Sequence, residues 1–365
     1  MRVVTFGEVM LRLCPEEFLR LAQVLPGRLE ATFGGGEVNV AVSIAQQGGA
    51  SAYATALPDN PLTDAFVQQI RGLGVDPSLV QRSKQGRFGI YFVENGANQR
   101  ASTVTYDRDG SSIALAKPTD FNWDKILTGA TWLHITGITP ALSASAADSA
   151  LAIVQAAQER KITVSCDLNF RKKLWRWKPG VGPVDLARET MRKLMPFVNV
   201  VVANEEDADL SLGIQAHQSN VEAGHLDLDG YQHVAREIVK QYSSVTHVAI
   251  TLRESYSASH NNWGAMLHVT GEGKGQSYFA PTNAQGEYES YEMRNIVDRV
   301  GAGDSFAGGL IFALNTPDLA APQTALQYAV AASCLKHSIK GDFNFSSRSE
   351  IEALMRGGGS GRVQR

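Results

Sequence analysis

Short apolar runs recur at residues 3–6, 132–136, 162–166, 198–202 and 245–251, each too brief for a helix. Between them lie stretches whose apolar residues return at helical spacing, at 38–47, 144–160, 186–194 and 231–242. Strands that are apolar on both faces and alternate with helices predict a mostly parallel sheet covered on both sides, so the fold class is α/β. Two regions, about 10–33 and 87–108, break the alternation. The second holds the β-leaning pieces 88–93 and 101–106 around the turn-forming pair Asn95-Gly96, and the two pieces are expected to pair as antiparallel strands.

Composition narrows the function. With 365 residues and 44% hydrophobic content, the chain has material for one large α/β core or two smaller ones. A net charge of −3 with both signs dispersed offers no basic face for nucleic acid. Cys14, Cys166 and Cys334 are far apart and lack CxxC spacing, which argues against a disulfide framework or zinc site and fits a reducing cytoplasm. The first residues lead straight into a strand without a signal-peptide pattern, and no apolar run reaches the roughly 18 residues of a membrane span. The glycine-rich stretch 357–365 is expected to be a flexible tail.

The segment from Asp298 to Leu310 carries the most chemistry. Gly301, Ala302 and Gly303 precede an apolar stripe of Phe306, Leu310, Ile311 and Leu314, so unpaired first-turn N–H groups would face a close-approaching anion. Asp304 stands at the same helix mouth, where a carboxylate would repel a bound phosphate unless it serves as a proton acceptor beside a phosphoryl group in transit. Alone, such a pattern also describes a capped helix after a glycine turn. Three polar sets follow strands: Asp167 to Arg171, Asn204 to Asp207, and Thr251 to Glu254. In open parallel sheets ligands bind beyond the carboxyl ends of the strands. Neither a Walker A pattern nor a GxGxxG turn after the first strand is present, which removes a P-loop site and a dinucleotide-dependent oxidoreductase.

Gly34-Gly35-Gly36-Glu37-Val38-Asn39 and the Asp298–Leu310 segment resemble the two signatures of the ribokinase (PfkB) family of carbohydrate kinases, in the family's order. The resemblance spans nearly the whole chain. It implies a ribokinase-like three-layer sandwich over residues 1–356, with a small β lid from about 10–33 and 87–108. It implies ATP as donor, Mg2+, and a homo-oligomer, with a dimer through the lid as one form. Asp304 inherits the role of base, with the Gly301, Ala302 and Gly303 amides stabilising the transferred group.

Asp167-Leu168-Asn169-Phe170-Arg171, followed by Leu174-Trp175, is similar to the DxNxR…LW stretch of 2-keto-3-deoxygluconate kinases. By that likeness Arg171 reaches both substrate and phosphates, and Asn169 and Phe170 lie against the nucleotide. Asn204 resembles the Asn of an NxxE motif that organises magnesium through water. Asp207 stands where the motif has Glu, and Glu205 is a further acidic candidate. Thr251 resembles the start of the nucleotide loop, where Arg253 replaces a usual glycine and the loop reads as long and polar. Gly34, Gly35 and Asn39 are implied to meet sugar hydroxyls. Tyr91, Tyr106 and Arg108 are implied to meet the substrate from the lid, Arg108 through a carboxylate, and Asp342 is implied to close the far side. Asp298 resembles a residue that binds a monovalent cation, K+, in some relatives. Two arginines aimed at one site favour a sugar acid. The alternatives are a neutral sugar (fructose, ribose or tagatose phosphate) and a non-catalytic sugar-binding relative.

Overall fold

The computed structural model describes residues 2–204, 206–215, 227–271 and 273–357; Glu205 and the tail from residue 358 lie outside the described residues. Its strands in chain order are β1 (Arg2–Phe6), β2 (Met10–Cys14), β3 (Glu30–Gly34), β4 (Ala50–Pro58), β5 (Val75–Asp76), β6 (Val80–Ser83), β7 (Gly89–Glu94) and β8 (Thr103–Asp107). They continue with β9 (Trp132–Thr136), β10 (Thr163–Asp167), β11 (Val200–Ala203), β12 (His247–Ser257), β13 (His260–Val269), β14 (Gln276–Ala280) and β15 (Tyr291–Arg294).

The main sheet runs β14-β13-β12-β11-β10-β9-β1-β4-β5, with β15 beside β13 and β6 beside β4. From β12 through β5 every pairing is parallel, and β13, β14 and β15 add an antiparallel margin. Successive residues alternate between two cores, as the two-residue period of a strand requires. Val201 and Ala203 pack with Ile153, Leu186, Met191 and Ile238 on one face. Val200 and Val202 pack with Phe306, Leu310, Leu326 and Tyr328 on the other. Helices Ala144–Glu159, Pro183–Leu194 and Leu228–Gln241 thus cover one side, and Gly36–Gln46, Ala302–Leu314 and Pro322–Lys336 cover the other. The result is the three-layer α/β arrangement that the hydrophobic pattern implies.

A second sheet runs β3-β2-β7-β8. The β7–β8 pair is antiparallel, as read from the turn between them, whereas β2 and β7, which join the two halves, run parallel. Met10 and Cys14 from β2 and Tyr91 and Val93 from β7 form a small apolar cluster of their own. Arg12, two residues from each of its β2 partners, shares their inward face and is buried.

One expectation is corrected here. Thr251 to Ser257 is not a loop: β12 continues through it and pairs residue by residue with β13. The run is polar because the hairpin extends past the sheet's core, where Arg253, Tyr256 and their neighbours meet solvent on at least one face. No helix among the described residues is long and apolar enough to cross a membrane.

Candidate active site

The carboxyl ends of β10 and β11 and the Thr251–Arg253 stretch of β12 border a cleft of about 440 Å3 that also reaches the second sheet. A larger hollow of about 510 Å3 opens at the opposite end of the sheet, but none of the candidate site residues lines it. The candidate site residues gather instead at the cleft beyond the carboxyl ends.

Its floor is the start of helix Ala302–Leu314. Gly301, the N-cap, has φ +84°, and a Cβ there would lie 2.1 Å from the Asp342 carbonyl oxygen. A side chain is therefore excluded on two counts, backbone conformation and space. We expect Gly301→Ala to cost about 1–2 kcal/mol through the left-handed backbone alone, and more through the clash. Thermal unfolding and kcat of the variant check this, and a wild-type Tm would show that the turn tolerates a side chain. Phe306, Leu310 and Ile311 are fully buried and anchor the helix in the core.

Asp304 is half-buried on the first turn, and its Oδ2 accepts from Asn39 Nδ2 at 2.6 Å. Burial pushes its carboxyl up to about 6; the Asn39 hydrogen bond draws it down and the Asp342 charge adds to the rise. A carboxylate with that affinity ionises at neutral pH yet accepts a proton readily, as a general base must.

Asp342 sits beside it, with Oδ1 accepting from Arg12 Nη1 at 2.9 Å and from the Tyr91 hydroxyl at 2.6 Å. Gly34 makes room for this carboxylate: a Cβ there would lie 2.1 Å from Asp342 Oδ2. Gly35, at the head of helix Gly36–Gln46, donates its N–H to Asn39 Oδ1 at 3.2 Å, which fixes the amide's orientation. Tyr91, Tyr106 and Arg108 reach the cleft from the second sheet. Arg108 is buried, paired with Glu8, and lies with its guanidinium carbon 5.2 Å from the centre of the Tyr106 ring.

Across the cleft, Arg171 is exposed and Asn169 donates to Asp167 Oδ2 at 3.3 Å. Asp167 is held well above the usual carboxylate range by burial and by the Asp207 and Asp304 charges. The Phe170 side chain belongs to the core instead of the cleft, because its apolar ring packs with the helices on that face, and only its backbone turns toward the site. Asp207 accepts the N–H groups of Phe170 at 2.9 Å and Asn204 at 3.0 Å. Asn204 returns the arrangement by accepting the N–H of Asp207 at 3.0 Å. Asp207 thus spends both carboxylate oxygens on backbone, which a longer Glu would overshoot. Thr251 and Arg253 line the cleft from β12 as strand residues.

Asp298, which the resemblance likens to a monovalent-cation residue, is held by groups of the chain itself. It accepts from Arg12 Nη2 at 2.6 Å and from the Gly341 and Val300 N–H groups, each at 3.0 Å, so its carboxylate is engaged by a guanidinium and two amides. Among the described residues no group of three or more His, Cys, Asp or Glu is arranged to hold a metal directly.

Among the lining residues given no role from the sequence are Asn261, Trp263 and Arg299, and Arg12 lies behind the lining, donating to Asp342. Arg299 donates to the Ala258 carbonyl at 2.6 Å and fastens the β12–β13 hairpin to the turn. Asn261 and Trp263 are buried, with Asn261 Oδ1 and Trp263 Nε1 unpartnered. The sequence signal for Arg12 was a lone cation at an inward position of an otherwise apolar strand.

Comparison with known proteins accords with this geometry. The family model "pfkB family carbohydrate kinase" matches residues 1–346. The chain is 32% identical over 360 residues to the 2-dehydro-3-deoxygalactonokinase of Haloferax volcanii, covering 98% of each. It is 26% identical over 308 residues to the 2-dehydro-3-deoxygluconokinase of Bacillus subtilis, covering 84% of this chain and 81% of that one. Among solved structures, the 2-dehydro-3-deoxygluconokinase of Thermotoga maritima superposes with a TM-score of 0.85 at 42% identity, covering 98% of this chain and 99% of that one. The chain belongs to the pfkB family of carbohydrate kinases and is a sugar kinase.

Proposed function

We propose that the enzyme transfers the γ-phosphoryl group of ATP to the primary hydroxyl of a 2-keto-3-deoxy sugar acid, 2-keto-3-deoxygluconate above all, giving the 6-phosphate. The observation that carries this reading is that Arg108 and Arg171 line the same cleft as Asp304. A guanidinium donates two parallel hydrogen bonds to a carboxylate or phosphate, so this pair suits an acid at one end and phosphates at the other. The named relatives are kinases of such acids.

The chemistry follows from the positions. The sugar hydroxyl oxygen attacks the γ-phosphorus, its proton passes to Asp304 Oδ1 or Oδ2, and the bond to the β-phosphate oxygen breaks to release ADP. Asn39 holds the Asp304 carboxylate in place through the bond at 2.6 Å. Amides at the start of helix Ala302–Leu314 face the transferred group, where charge spreads over the equatorial oxygens. Arg171 follows the phosphates. The second sheet acts as a lid whose closure excludes water.

Asp167, Asp207 and Asp304 all border the cleft, and among the described residues they form no direct ligand set. Such donors would suit Mg2+ held mainly by water and the triphosphate, with Asp167 and Asn204 as the residues that would meet its water shell. Bound there, it would neutralise the triphosphate.

One observation favours a neutral sugar: Glu8 already pairs with Arg108 and offsets its charge. A coupled ADP-release assay over sugar acids and neutral sugars separates the readings. We expect kcat/KM for 2-keto-3-deoxygluconate to exceed that for fructose and ribose by at least ~10²-fold, the discrimination of roughly one buried charged contact. A preference for fructose would move the assignment to a neutral-sugar kinase.

A further inference from the structure

We propose that Arg12 is a positioning residue for phosphoryl transfer, fastening the second sheet to the two carboxylates that flank the anion-binding turn and fixing the hydrogen-bond chain that ends on Asp304. The inference rests on Asp304 as the base and concerns how that base is held.

Arg12 is 2% exposed on β2, between Met10 and Cys14, where an apolar residue would pack without desolvating a charge. Buried ion pairs seldom add stability over well-packed apolar residues, so the charge at this position calls for another explanation. Its fork is divided. Nη1 meets Asp342 Oδ1 at 2.9 Å and Nη2 meets Asp298 Oδ2 at 2.6 Å. Asp298 in turn takes the N–H groups of Val300 and Gly341, tying the approach to the Gly301 turn to the segment that carries Asp342. Asp342 also accepts from Tyr91 on β7, so two strands of the second sheet close on one carboxylate.

The chain then continues inward. Asn39 Nδ2 carries two protons; it lies 3.4 Å from Asp342 Oδ2 and 2.6 Å from Asp304 Oδ2. With Asp342 drawn to Arg12 and Tyr91, the shorter and stronger bond falls to Asp304. Without Arg12, Asp342 would compete for Asn39 and its charge would face Asp304 offset only by Lys336.

The groups that act on Asp304 come from every side. Glu37 lies on helix Gly36–Gln46, Asp167 on β10, Arg171 beyond it, and Lys336 and Asp342 on the C-terminal segments. Lys336 is buried, donates to the Ile339 carbonyl at 3.0 Å and acts on Asp298 and Asp342 through its charge, as a point charge and not a fork.

Arg12→Gln and Arg12→Lys, measured from about pH 5 to 9 beside wild type, test the proposal, because substrate ionisation is common to all three. In Arg12→Gln we expect kcat to fall ~10–100-fold, more than any rise in KM, as misalignment forfeits part of the ~10²–10⁴-fold that an aligned base contributes. The acid limb of kcat/KM should move up by ~0.5–1 pH unit, since Asp342 loses its counter-charge. Arg12→Lys should return the limb to the wild-type position yet leave kcat at least ~5-fold low, because a point charge cannot hold two carboxylates as a fork does.

A wild-type limb in Arg12→Gln, or a kcat within ~3-fold of wild type, overturns the proposal. If Arg12→Gln does not accumulate folded, Arg12→Lys decides: reduced kcat at an unmoved limb supports it and wild-type kcat overturns it. Asp304→Asn keeps the two readings apart. An inactive Asp304→Asn alongside an unaltered Arg12→Gln would leave the base assignment standing and remove this one, whereas an active Asp304→Asn would remove the base itself.

Discussion

Asp304→Asn is expected to lower kcat by ~10²–10⁴-fold while leaving KM for the sugar within a few-fold of wild type, because the amide keeps the size of the carboxylate and loses only its capacity to take a proton. The bond from Asn39 Nδ2 to Asp304 Oδ2 can be kept by the amide's own oxygen, so the local geometry has no reason to collapse. The wild-type pH profile supplies a second, independent reading. The Asp304 carboxyl lies at about 6, raised mainly by burial, so its basic form fills as pH rises through that value. The kcat/KM profile should therefore fall on its acid side near pH 6, and Asp304→Asn should lose that limb along with the rate. Less than a roughly fivefold loss of kcat, or an unchanged limb in the variant, would remove Asp304 from the mechanism.

How much of this site was legible in the sequence depended on whether a residue's role could be read from its neighbours in the chain. The Gly301 to Asp304 turn was legible because small residues before an apolar helical stripe have few other uses, and the strand-end sets at Asp167 and Asn204 were legible because their strands are apolar on both faces. By contrast β4, the strand Ala50–Pro58 beside β1, left almost no signal. Its Ala and Ser residues are small because helix Gly36–Gln46 packs close over it, and they carry little β preference. The β12–β13 hairpin was misread as a loop because polarity marks exposure, and an exposed strand and an exposed loop look alike without a known partner. Arg12 was missed for a different reason: both of its carboxylate partners lie near the other end of the chain, so its meaning exists only once the fold brings β2 to Asp298 and Asp342.

Arg108 tests the sugar itself, and its pairing with Glu8 decides how the test must be built. Replacing the arginine alone would leave the Glu8 carboxylate buried without its partner, and a buried unpaired charge destabilises by ~3–5 kcal/mol, which would confound binding with folding. The double variant Glu8→Gln/Arg108→Met removes both charges together and keeps apolar bulk against the Tyr106 ring. If Arg108 holds a substrate carboxylate, the double variant should lose ~2–4 kcal/mol of transition-state binding for 2-keto-3-deoxygluconate, roughly 30- to 700-fold in kcat/KM. Fructose, with no carboxylate to lose, should fall by less than ~5-fold. Glu8→Gln alone adds a sign to the argument: freeing Arg108 from a competing carboxylate should hold or improve kcat/KM for the acid, unless Glu8 is what aims the fork. Arg171→Met, by comparison, should depress both substrates if its guanidinium serves the phosphates of ATP, as proposed above. Equal losses for acid and neutral sugar in the double variant would show that Arg108 serves the second sheet and not the substrate, and the choice of a sugar acid would then rest on Arg171 alone.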